Sequence, residues 1–100
     1  MAVKVIIEFR ARPGQRKALQ LMMERMGAEF GPMLRERGSL GFTLYEVPAD
    51  PDMIVEIGEW ETAEAREALM EEAVASGAFA PMMELLAGPP RATYVKPLSA

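Results

Sequence analysis

Residues 53–66 read Met53-Ile54-Val55-Glu56-Ile57-Gly58-Glu59-Trp60-Glu61-Thr62-Ala63-Glu64-Ala65-Arg66. The first eight carry the β-branched residues of a strand, and Thr62 followed by Glu64 supplies an N-cap hydroxyl and a first-turn carboxylate for a helix. Alternate strand residues share a face, so Ile54, Glu56, Gly58 and Trp60 lie on one side of the sheet and Val55 and Ile57 on the other. A strand that is apolar on both sides is expected to be central and covered on both faces. Glu56 is then a lone carboxylate on an apolar face, four residues before the single tryptophan of the chain.

Upstream, Val3, Val5, Ile7 and Phe9 alternate with Lys4, Ile6, Glu8 and Arg10, the pattern of a half-buried strand, and Arg12-Pro13-Gly14-Gln15 turns the chain. From Gln15 to about Arg37 the apolar residues Leu19, Met22, Met23, Met26, Phe30, Met33 and Leu34 follow helical spacing. Gly31-Pro32 predicts a kink or a short break in that helix. Gly38 ends it, Leu40–Val47 forms a second strand, and Pro48-Ala49-Asp50-Pro51-Asp52 reads as a turn. Downstream, the helix after Thr62 extends to about Ala75. Phe79, Met82, Met83 and Leu86 predict a further short amphipathic helix closed by Gly88-Pro89-Pro90, and Arg91–Lys96 a last strand. The order is β-α-β-β-α-β, an α+β chain of ferredoxin-like type with a four-stranded antiparallel sheet covered by helices on one face. We expect one domain over residues 1–97 and a short tail at 98–100.

Composition narrows the chemistry. A net charge of −4 offers no electrostatic footprint for nucleic acid or an anionic membrane. With neither cysteine nor histidine, thiolate and imidazole metal sites and the usual nucleophile–base pairs cannot be built, and no metal site is expected. Proton transfer then falls to a carboxylate, tyrosine or lysine. The N-terminal strand is interrupted by charges, and no apolar run approaches the ~20 residues of a membrane span, so the expected compartment is the cytoplasm. The uncovered sheet face would carry Ile6, Val55 and Ile57 among Lys4, Glu8 and Arg10. Burying that patch predicts a two-fold homodimer packed sheet on sheet.

Four stretches taken in order, Arg12-Pro13-Gly14-Gln15, Gly38-Ser39-Leu40-Gly41-Phe42, Glu59-Trp60-Glu61-Thr62 with Glu64-Ala65, and Leu85-Leu86-Ala87-Gly88-Pro89-Pro90, resemble the antibiotic biosynthesis monooxygenase family over almost the whole chain. The resemblance implies a dimeric α/β barrel with a pocket between sheet and helices. Some members oxidise planar phenols, quinols or anthrone-like aromatics with molecular oxygen and no cofactor. It makes Trp60 the family's pocket tryptophan, and it places Glu56 where quinone-forming members have asparagine and Arg66 where they have tyrosine. Haem-degrading members need a strand-one asparagine, where this chain has Ile7, and an iron-ligating histidine, which it lacks. The histidines of quinol-oxidising members are replaced by Leu69 and Ala78.

The candidate catalytic residues are Glu56, Trp60 and Arg66, with Val5, Ile7, Phe9, Ile54, Leu69, Phe79 and Met83 expected to line a substrate pocket. Desolvation on an apolar face should raise the pKa of Glu56 and make it a general base, unless a salt bridge to Arg66, Arg91 or Lys96 holds it ionised. Trp60 either stacks on a planar ring or closes the core. Arg66 either neutralises a substrate oxyanion or pairs with Glu67 or Glu71. The methionines form a soft pocket wall or fill the core. Tyr45 and Tyr94 either donate to a substrate oxygen or serve strand packing. The implied activity is a cofactor-independent monooxygenase acting on a small aromatic molecule. The alternatives are a non-catalytic small-molecule-binding or structural dimer, and an isomerase or lyase using Glu56 alone as base.

Overall fold

The computed structural model describes residues 2–99, so Met1 of the expected domain and Ala100 of the expected tail lie outside the described residues. The strands are β1 (Val3–Arg10), β2 (Ser39–Val47), β3 (Asp50–Trp60) and β4 (Arg91–Val95), and the helices α1 (Arg16–Glu36), α2 (Ala63–Ser76) and α3 (Ala80–Met83). The sheet is antiparallel in the order β2-β3-β1-β4, which is the ferredoxin-like arrangement.

The ladder between β1 and β3 runs from Val3 opposite Trp60 to Arg10 opposite Met53. It sets the two alternations in phase, so Val3, Val5, Ile7 and Phe9 share the helix-covered face with Trp60, Gly58, Glu56 and Ile54. A slip of one residue would turn every one of these side chains to the other face. The core joins the apolar members of this set to Leu19 and Met23 of α1, Leu69 of α2, Met82 of α3, and Ala11 and Leu86 beyond the strands. The opposite face is open: Ile6, Val55 and Ile57 are half-buried there. The central position expected for β3 is therefore observed, whereas its expected coverage on both sides is absent within a single chain.

Helix ends follow local chemistry. The Ala65 N–H donates to Thr62 Oγ1 at 3.1 Å, and Gly77 closes α2 in the left-handed conformation at φ 75°. Three segments depart from the sequence reading. Pro32 lies inside α1 without breaking it, because a proline deletes one ladder bond and its neighbours still close theirs. Asp50-Pro51-Asp52 is extended and belongs to β3, leaving Pro48-Ala49 alone as the turn. Arg10 Nη2 pairs with Asp50 Oδ2 at 2.8 Å, and the Asp52 N–H donates to Asp50 Oδ1 at 3.2 Å, which holds this stretch against β1. The third helix stops at Met83 and does not reach Leu86. There the backbone bonds to the end of β1 instead: Arg12 N–H donates to the Leu85 carbonyl at 2.9 Å and Ala87 N–H to the Arg10 carbonyl at 2.8 Å.

The α2 cap gives a direct stability test. Thr62→Ala removes the acceptor for the Ala65 N–H and lowers unfolding free energy by about 1 kcal/mol. Urea denaturation of the two proteins at equal m-value measures it, and an unchanged midpoint would show that the cap contributes nothing.

Candidate functional site

Glu56 lies in the middle of β3, opposite Ile7 on one side and Leu44 on the other. Both flanking strands thus present apolar side chains to it. Burial pushes its carboxyl pKa up, and the nearby Arg66 guanidinium partly opposes that rise. Among the described residues no cation forms an ion pair with Glu56, so the expected alternative of a salt bridge to Arg66, Arg91 or Lys96 is not realised. Arg91 stands opposite Glu8 and therefore on the open face. No described side-chain oxygen or nitrogen is both fully buried and unpaired, and Glu56 makes no side-chain hydrogen bond. Its carboxylate oxygens accordingly stay within reach of solvent.

Arg66 projects from the first turns of α2. Its Nη1 donates to the Tyr94 hydroxyl at 3.0 Å, and its guanidinium carbon lies 5.6 Å from the centroid of the Tyr94 ring. Neither Glu67 nor Glu71 pairs with it among the described residues. Tyr94 of β4 stands opposite Val5, and so on the same covered face as Glu56. Arg66 of α2 is thus joined to Tyr94 of β4 by contact and acts on Glu56 of β3 by charge, all three on the covered face. Tyr45, the other tyrosine considered, stands opposite Val55 on the open face with 48% exposure and has no place in the group.

Trp60 is 7% exposed and belongs to the packed core, together with Val5, Ile7, Phe9, Ile54 and Leu69. Phe79 packs against that core, partly buried. Met83, expected in the pocket, is 42% exposed, and the buried methionine of α3 is its neighbour Met82. The four-residue helix turns one of two adjacent methionines inward, and helical spacing alone did not say which. Phe42 was not anticipated: its ring reaches α1 so closely that a Cβ at Gly27 would come within 2.7 Å of its Cζ. The signal was the alternation of Phe42 and Leu44 on β2, which puts both on the covered face.

Two clefts lie away from Glu56. One of about 450 Å³ runs between α1 and β2, lined by Gly27, Gly31, Leu34, Arg35, Ser39 and neighbouring β2 residues. The other is an open depression at Met70, Glu71, Val74 and Ala75 of α2. Among the described residues no three acidic side chains gather into a metal-holding cluster, and no helix is long and apolar enough to cross a membrane.

The sequence profile of the antibiotic biosynthesis monooxygenase family matches residues 2–81. The chain belongs to this family. Among solved structures, Rv0793 from Mycobacterium tuberculosis is 28% identical, with 100% of this chain and 98% of that one covered at a TM-score of 0.74. A monooxygenase from the gene ActVA-Orf6 of Streptomyces coelicolor, solved in complex with nanaomycin D, is 19% identical, with 99% of this chain and 89% of that one covered at a TM-score of 0.74. That second likeness shows the fold alone. No curated protein matches the chain in sequence.

The raised pKa of Glu56 has a sign that can be checked. The folded chain holds this proton more tightly than the unfolded chain does, so stability falls as pH rises from the ordinary glutamate value, about 4.3, through the native one. Glu56→Gln removes that loss. The variant is expected to melt above the wild type at about pH 7.5 and together with it below about pH 4, where the carboxyl is protonated in both states. Calorimetry across this range checks it. A gap independent of pH would show that Glu56 is not destabilised in its charged form.

Proposed function

We propose that the protein is a cofactor-independent monooxygenase acting on a planar phenol, quinol or anthrone-like aromatic with molecular oxygen. The observation that carries this reading is Glu56, a carboxylate with a raised pKa on the covered face of the sheet and within reach of solvent, with a guanidinium nearby. A carboxyl whose pKa is raised is a stronger base than an ordinary glutamate, and the direction of the shift favours proton transfer to it. Family membership supports the reaction class.

In this reading Glu56 takes the proton from a phenolic hydroxyl or from the acidic CH₂ of an anthrone, and Arg66 holds the negative charge on the substrate oxygen. The electron-rich anion reduces oxygen and forms a carbon–oxygen bond, giving a hydroperoxide after reprotonation. Loss of water from the hydroperoxide leaves a carbonyl, so one oxygen atom enters the product and the other enters water. Trp60 supplies an aromatic wall at the end of the same face.

An oxygen electrode with a panel of quinols and anthrones tests this. Consumption of oxygen should fall about 10²- to 10⁴-fold in Glu56→Gln, with a smaller loss in Trp60→Phe and Arg66→Gln. Unchanged turnover in both Glu56→Gln and Trp60→Phe would refute these roles. Turnover that persists under strict anaerobiosis would instead identify an isomerase or lyase using Glu56 as base. A ligand-induced rise in melting temperature without turnover would identify a binding protein.

We also infer that the protein assembles as a homodimer through the open sheet face. Ile6 lies directly opposite Ile57, and Val55 opposite Tyr45, forming an apolar patch that a single chain leaves uncovered. On the same face Lys4 stands opposite Glu59 and Glu8 opposite Arg91, so charges of both signs surround the patch. A charge placed at the centre of a desolvated patch disfavours association. Ile57→Lys should therefore sediment as a monomer where the wild type sediments as a dimer, and a wild type that is monomeric at millimolar concentration would overturn the assembly.

A further inference from the structure

Arg66 is a cation near the beginning of α2, where the helix dipole disfavours positive charge and Glu64 supplies the favoured sign. Its placement does not serve the helix. Among the described residues it has no carboxylate partner within ion-pairing distance. Its hydrogen-bond partner is a neutral hydroxyl 28 residues away, and the face of the same ring lies 5.6 Å from its guanidinium carbon. A long, flexible side chain is thereby held by two contacts, neither of which neutralises its charge.

We propose that Tyr94 is a positioning residue: its hydroxyl and ring fix the Arg66 guanidinium within electrostatic reach of Glu56 but unpaired with it, so that a cation without a carboxylate partner stands ready for an anionic oxygen of the ligand. This proposal rests on the reading of Glu56 and Arg66 as a working pair. The physical reason concerns the partner. A carboxylate partner would hold Arg66 just as firmly and would cancel the charge that a substrate anion needs. A phenolic oxygen accepts the guanidinium N–H and leaves the net charge intact. Because the hydroxyl oxygen already accepts from Arg66, the tyrosine's own proton is left available for donation.

The groups facing Glu56 make the effect separable. β1 presents Ile7, β2 presents Leu44, and α1 brings Leu19 and Met23 to the core, none of them titratable. Arg66 of α2 is the one charge that acts on Glu56 among the described residues, and Tyr94 of β4 holds it; the other polar groups of this face, Glu46 opposite Ile54 and Ser39 opposite Trp60, stand farther along β2, with Glu46 paired to Arg16. If Tyr94 acts through Arg66, loosening Arg66 weakens the one attraction that opposes the desolvation of Glu56.

The test needs no substrate. The carboxyl carbon of Glu56 is titrated by ¹³C NMR in the wild type, Tyr94→Phe, Arg66→Gln and the double variant, with phenylalanine keeping the ring and removing only the acceptor. The midpoint should move up in Tyr94→Phe, move up at least as far in Arg66→Gln, and show no further change when the two are combined. Rotation of the Arg66 guanidinium, followed by its Nη resonances, should quicken in Tyr94→Phe at unchanged melting temperature. An unmoved midpoint in Tyr94→Phe overturns the proposal, and so does an equal shift on the Arg66→Gln background, which would mean that Tyr94 acts directly on Glu56. If Tyr94→Phe disturbs folding, the Arg66 resonances of the wild type decide alone: rapid guanidinium rotation there refutes the clamp. Because these readouts are independent of oxygen consumption, the clamp and the oxygenase reading can fail separately.

Discussion

The register between β1 and β3 is the constraint from which the other features follow. Val3 opposite Trp60 brings the two apolar alternations into phase, and one covered face then collects the core while the other is left with Ile6, Val55 and Ile57. The same phase carries Glu56 to the covered side. A β3 shifted by one residue would place that carboxylate in water and turn Glu59 toward the core in its stead. Core, candidate site and uncovered patch are therefore one choice of register, tied at one end by Arg10 of β1 with Asp50 of β3.

The ion pairs of the chain make the treatment of Glu56 stand out. Arg10 with Asp50, Arg16 with Glu46 at 3.2 Å and Arg37 with Glu72 all lie at the periphery, where such pairs contribute little to stability. They tie strands and helices at the rim, and the Arg10 hydrogen bond holds the Asp50 carboxyl below its ordinary range. On the covered face the pattern reverses. Glu56 is desolvated, its cation is near but unpaired with it, and its pKa rises. An unpaired carboxylate on an apolar face costs free energy, so Glu56 does not serve stability.

Features with a local physical cause were legible in the sequence. Period-two alternation gave β1 its inward residues, Thr62 marked the start of α2, and Gly38 marked the end of α1. What escaped depended on partners distant in sequence. Asp50-Pro51-Asp52 has turn composition and is extended because Arg10 and the β1 backbone hold it. Leu85 to Ala87 continue a helical pattern, yet their backbone is claimed by Arg10 and Arg12. The contact of Arg66 with Tyr94 joins α2 to β4 and has no signature in either segment. The sequence offered Glu56, Arg66 and Tyr94 each as a candidate, and what it did not offer was the contact that joins Arg66 to Tyr94.

The resemblance sharpens what that completion means. Quinone-forming members carry asparagine where this chain has Glu56 and tyrosine where it has Arg66, two neutral groups replaced by an acid and a base. Either change alone would be costly: an isolated glutamate on this face would stay protonated well above its ordinary range, and an isolated arginine would lie half-buried beside nothing of opposite charge. Together they are tolerable, but a close ion pair would make Glu56 a weak base and quench Arg66. Tyr94 resolves the conflict by giving the guanidinium a neutral partner. The two charges then influence each other without forming an ion pair.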